Sequence, residues 1–109
     1  MTDEPTSLQH AVDRLVGRVQ HWTRHRWAKL TPDGVMTRGD RVHALAQHLA
    51  DATADAEGGP HRTVPRLDND MALSDQLRAL TADLLAAESP PETLAALTAE
   101  VRETAAALD

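Results

Sequence analysis

The chain has no cysteine, phenylalanine, tyrosine or isoleucine among its 109 residues, and its only aromatic side chains besides histidine are Trp22 and Trp27. Without cysteine there is no disulfide framework, no thiolate metal site and no cysteine nucleophile. Strand-like alternation of apolar and polar residues is missing, as is the β-branched and aromatic mix that strands use, which argues against a sheet. No apolar run approaches the roughly 20 residues of a membrane-spanning helix. Because Met1-Thr2-Asp3-Glu4-Pro5 is acidic with no apolar run behind it, no secretory signal is expected, and the expectation is a cytoplasmic protein without membrane attachment. Basic residues are also in short supply, eleven Lys and Arg against seventeen Asp and Glu, for a net charge of −6. That balance makes nucleic acid an unlikely partner, and the Thr31 to Thr37 connection is longer than the tight turn of a helix-turn-helix.

What the chain does have is Leu, Ala and Val at helical spacing. Leu8, Val12, Leu15, Val19 and Trp22 recur at intervals of four and three, the rhythm of a helix that buries a narrow stripe, with Thr6 or Ser7 as its cap. Thr31-Pro32-Asp33-Gly34 reads as a tight turn. Thr37 and Asp40 form a variant capping box before a second stripe, Val42, Leu45, Leu49, Ala52 and Ala56, closed by Gly58-Gly59-Pro60. A third stripe, Leu73, Leu77, Leu80, Leu84 and Ala87, is capped from Asp68, Asn69 or Asp70. Ser89-Pro90-Pro91-Glu92 marks the fourth start, with serine as cap and proline at the first helical position, ahead of Leu94, Leu97, Val101, Ala105 and Leu108. The expected fold is therefore all-α, a four-helix up-and-down bundle with helices over about 7–29, 38–57, 69–88 and 90–108 and a longer loop between the second and third. The last two are expected to form a tight antiparallel hairpin. All 109 residues belong to one domain with a thin, alanine-rich core, which a partner covering one face would help.

Charge is distributed unevenly along these segments. Ser7 to Leu30 carries five basic residues against Asp13, a net of +4, whereas Asp68 to Glu88 carries five acids against Arg78, a net of −4. The window His21 to Lys29 holds both tryptophans, Arg24, Arg26, Lys29 and two of six histidines. His21 and His25 are four apart on the expected helix, but with cationic neighbours and no nearby carboxylate they read as solvated, and no metal site or cofactor is expected. Arg26 breaks the apolar stripe: it either points inward toward an anion or snorkels to water at the helix end. Trp22 falls on the stripe; Trp27, on its edge, either anchors an interface or closes the bundle end. The loop from Gly58 to Asp68, with His61 and Arg66, is long enough to form an ordered cover over such a site.

No serine, histidine and acid pattern supports triad catalysis. The functional expectation is a small non-enzymatic interaction or accessory protein that binds a protein partner or forms a homodimer. The alternative is a small anionic ligand held near Arg26 and the loop, in a binding protein or compact enzyme. Candidate binding residues under both readings are Trp22, Arg26, Trp27, His61 and Arg66.

Overall fold

A computed structural model describes residues 3–109, and among them every regular element is helical. Helix α1 spans Glu4–Val19 and starts earlier than expected, because Asp3 rather than Thr6 or Ser7 is the cap and accepts from the Thr6 amide at 3.3 Å. Its stripe is buried as the spacing predicts, with Ala11 and Val16 added to Leu8, Val12, Leu15 and Val19. The helix expected over 7–29 is in fact broken after Val19, and α2 occupies only Arg24–Ala28. Thr23 is the cause at the level of the chain: in an extended conformation its hydroxyl accepts from the Arg26 amide at 3.3 Å, so it caps a new helix instead of continuing the old one. The gain is tertiary. A continuous helix would leave Trp27 on the edge of the stripe, whereas the break buries both indoles, Trp22 at 3% exposure and Trp27 at 1%.

Thr31-Pro32-Asp33-Gly34 forms the expected turn, with Gly34 at φ +71° donating to the Thr31 carbonyl, and Leu30 bridges Thr37 across it. Helix α3 (Arg38–Glu57) opens on the Thr37/Asp40 capping box and ends at left-handed Gly58. A short 3-10 turn, Asp70–Ala72, leads into α4 (Leu73–Ala86), and α5 spans Pro91–Ala107. Serine 89 is not the cap of α5. Pro91 excludes the helical region for the residue before it, so Pro90 becomes the extended cap residue and offers no side-chain acceptor. The Ser89 hydroxyl is left buried without a protein partner.

The four long helices form the expected all-α bundle. Helix α1 packs chiefly on α5 and then α4, and α3 chiefly on α4 and then α5. Although α4 and α5 are joined by a four-residue turn, 87–90, each spends its main contacts on other helices rather than in a closed hairpin. Helix directions follow from the side-chain bonds between them. Arg18, late in α1, reaches the Ala105 carbonyl late in α5, so these two are parallel. Arg38 at the start of α3 meets Leu108 past the end of α5, and His48 meets Glu100, so α3 opposes α5.

The connection from α3 to α4 explains the remaining direction. It does not cross the bundle end; it runs back along α3. Gln47 donates to the Arg62 carbonyl at 2.9 Å and accepts from the Val64 amide at 2.8 Å, His43 meets the Val64 carbonyl at 3.1 Å, and Arg66 reaches Asp40 at 2.9 Å. Twelve residues, 58–69, lie between the end of α3 and the 3-10 turn; extended, they cover about 40 Å, enough to return the length of a 20-residue helix, about 30 Å. Helix α4 therefore starts where α3 starts and runs parallel to it, giving an up, down, down, up order instead of a simple up-and-down one.

Where the crossover arrives, Gly39 in the first turn of α3 is buried beneath the Asp70 carboxylate and the Arg66 guanidinium, which occupy the space a Cβ would need. Gly17 on α1 has open space around it and ordinary helical geometry. Gly39→Val is expected to lower unfolding free energy by about 1–3 kcal/mol, because the Arg66–Asp70 ion pair has to move off α3. Gly17→Ala should raise it by about 0.5–1 kcal/mol through helix propensity. Urea denaturation of the two variants checks both signs; a Gly39→Val protein as stable as wild type would show that the crossover is not docked there.

Candidate functional site

The end of the bundle at which α3 begins gathers most of the residues singled out by sequence. Trp22 and Trp27 meet edge to face, ring centroids 5.1 Å apart at 67°. Trp22 is also flanked by two guanidiniums, Arg26 at 5.1 Å and Arg38 at 4.8 Å from its ring centroid. Arg26 does not point into the bundle. Its side chain is exposed and lies on the indole, the snorkelling arrangement, so the inward guanidinium of the anion-binding reading is not formed. Trp27, buried at 1%, closes the bundle end and presents no exposed indole to a partner.

Arg38 is the residue that sequence reasoning missed. Its Nε donates to the Leu108 carbonyl at 3.0 Å and its Nη1 to the Arg26 carbonyl at 3.2 Å. These are carbonyls at the C-terminal ends of α5 and α2; the Leu108 carbonyl has no amide donor, the Arg26 carbonyl has only the long bond from the Lys29 amide at 3.4 Å, and α5 has no basic residue in its own last turn. Arg18 adds a bond to the Ala105 carbonyl at 2.9 Å and an ion pair with Asp109. The end of α5 is thus held by arginines from two other helices. Nothing in the spacing around Arg38 announces this, since the partners lie 12 and 70 residues away.

The two loop candidates separate. Arg66 sits at the same end as the tryptophans, bidentate to Asp70 at 3.0 and 3.2 Å and bonded to Asp40 at 2.9 Å. Its hydrogen bond holds the Asp40 carboxyl below the usual carboxylate range, and Asp70 and Asp40 together push the guanidinium up. His61 is elsewhere. It meets Asp55 at 2.6 Å and Asp51 at 3.6 Å, 13 to 17 residues along α3 from Arg38 and so about 20–25 Å away. His21 and His25 no longer share a helix, one preceding α2 and one within it, and the four-residue spacing loses its meaning.

Around the tryptophan knot the surface has a distinct character. Among the described residues Leu30, Val35, Leu67 and Met71 are the large apolar side chains left exposed, at 60%, 72%, 44% and 46%. All four lie in loops or the 3-10 turn that converge on the first turn of α3. Leu30 bridges Thr37, Val35 is in the same loop, Leu67 follows Arg66, and the 3-10 turn with Met71 packs beside α2. Beside them Arg24, His25, Arg26 and Lys29 are exposed without an intervening acid. Among the described residues no three His, Cys, Asp or Glu side chains are grouped so as to hold a metal ion, and no helix is long and apolar enough to cross a membrane. No family model, curated protein or solved structure matches the chain.

Two measurements check this geometry. Arg38→Ala should lose about 1–3 kcal/mol, since a charged donor to two helix-end carbonyls and a ring contact go together, with Trp fluorescence shifted to the red; Arg26→Ala, an exposed ring contact only, should cost about 0.5–1 kcal/mol. Equal effects would contradict the bridging role. His61 supplies the pH test. Its hydrogen bond to Asp55, helped by the charges of Asp55 and Asp51 and opposed by desolvation, raises its pKa. A raised folded value means that the contribution is complete below the unfolded pKa of about 6.5 and is lost as pH rises through the folded one. The difference in melting temperature between wild type and His61→Asn should thus be present at about pH 5.5 and close by about pH 8.5. A gap that widens with pH would contradict the assignment.

Proposed function

We propose that the protein is a non-enzymatic interaction module that engages a protein partner, or a second copy of itself, through the end of the bundle around α2. One observation carries this reading: the four exposed large apolar side chains, Leu30, Val35, Leu67 and Met71, converge on one end instead of scattering over the surface. Single exposed apolar residues are ordinary, but several gathered at one end beside exposed cations are the pattern of a binding surface. Arginine and methionine are enriched in such surfaces, and Arg24, Arg26 and Met71 supply them.

The surface also has the rigidity that recognition favours. The Trp22–Trp27 pair, Arg38 and the Arg66 ion pairs fix the backbone from which the exposed side chains project, so less ordering is required on binding. Charge favours a partner with carboxylates opposite α2 and Lys29, which present cations only, and with apolar groups at its centre, while Asp33 and Asp68 are exposed acids beside the apolar side chains. The alternative of a small anion at Arg26 loses its basis, since that guanidinium lies over Trp22 in solvent and not in a cavity. Self-association remains within the proposal as one form of protein partner.

The test is site-specific photocrosslinking from Val35 and Met71 in the source cells, with Ala82 on the exposed face of α4 as the control position. A discrete crosslinked species from the first two positions and none from Ala82, lost in Leu30→Glu/Met71→Glu while helicity is unchanged, is the expected outcome. The same yield from all three positions, or no product, together with a strictly monomeric protein by light scattering, would overturn the proposal.

A further inference from the structure

A second surface is a groove of about 630 Å³ between α1 and α5, with Arg18 on its rim. Its floor is apolar and smooth. Leu15 and Val101 are buried, and Ala11 and Ala105 leave room above them. Its rim is basic: Arg14 and Arg18 are the arginines of α1, Arg102 is the only one in α5, and His10 lies beside them. On a chain of net charge −6, every arginine of the two helices lines this one groove. Asp13 is the acid at the rim, and Gln9 donates to it at 3.0 Å. Arg18 is engaged by the Ala105 carbonyl and Asp109, whereas Arg14 and Arg102 make no ion pair among the described residues. Like charges gathered without partners along an apolar cleft repel one another, and an anionic occupant relieves that repulsion.

From this we infer that the α1/α5 groove binds an acidic amphipathic helix of a protein partner, apolar side down. The shape selects a helix over a small anion. Ser7 to Arg18 extends three turns, about 16 Å, and the groove is partly open to solvent, whereas small-molecule sites enclose most of their ligand. Apolar anchors at i, i+3, i+4 and i+7 of such a helix fit the Ala11, Leu15, Val101 and Ala105 floor, and its flanking carboxylates meet Arg14 and Arg102. This inference rests on charge and shape between α1 and α5 and is independent of the exposed apolar end around α2.

The experiment uses the full chain and a synthetic helical peptide of about 18 residues, five turns, with leucine at those anchor positions and glutamate elsewhere on its surface. A counterpart carries lysine in place of glutamate. Titration is followed by amide NMR. Expected are shifts confined to Ser7–Arg18 and Val101–Ala105, binding that weakens steeply between about 50 and 300 mM salt, and an affinity about tenfold lower for Arg14→Glu/Arg102→Glu. Both arginines are exposed, so the variant should retain its fold, which its thermal melt checks. Equal binding of the lysine peptide, no shifts, or shifts centred on Leu30 and Met71 would overturn the inference. So would retention of the protein on anionic phosphatidylglycerol vesicles with no response to the peptide, which would assign the groove to a membrane surface.

Discussion

Much of the architecture depends on how the C-terminal end of α5 is satisfied. A helix leaves its last carbonyls without amide donors, and α5 has no cation of its own in that turn. Arg38 from α3 supplies a donor to the Leu108 carbonyl, Arg18 from α1 adds a second donor to the Ala105 carbonyl beside the Leu108 amide, and Arg38 at the same time bonds the Arg26 carbonyl in α2 and lies on Trp22. One guanidinium thus fixes the positions of three helices relative to the only indole pair. Arginine suits the role because its planar fork reaches two acceptors at once, which an ammonium on a flexible stem does not do from a fixed position.

That constraint accounts for the break in the first helix. The stripe Leu8 to Val19 continues in sequence to Trp22, and a straight helix would have been sufficient for those positions alone. Burying Trp27 as well requires the chain to turn, and Thr23 provides the cap that makes the turn inexpensive. The core is otherwise built of Leu, Val and Ala, so two fully enclosed indoles are a large share of its apolar area. With the end sealed in this way, Leu30, Val35, Leu67 and Met71 have no remaining place in the core, and they face solvent on a rigid base.

The fold was legible where local chemistry decides it. The heptad-like stripes, the Thr37/Asp40 capping box, the Gly58 stop and the turn at Gly34 all depend on residues within one or two turns of each other. Features that depend on contacts across the chain were not legible. The return of residues 58–69 along α3 is fixed by Gln47, His43 and Asp40, polar residues whose spacing carries no apolar signal. Ser89 was misread for a nearer reason: Pro91 restricts Pro90, and the boundary moved by one residue. Of the candidate site, composition alone points to the window His21–Lys29, and the structure selects one of the two alternatives open at each position: Arg26 snorkels over Trp22, Trp27 closes the bundle end, and Arg38 lies outside the window.

The most direct test of this account is amide hydrogen exchange on the Arg38→Ala chain. If Arg38 ties the ends of α2 and α5 to Trp22, protection should fall together at Trp27, Lys29 and Ala105–Leu108, while the centre of α3 around Leu45 and Leu49 stays as in wild type. Loss of protection limited to the first turn of α3, with the end of α5 unchanged, would contradict it.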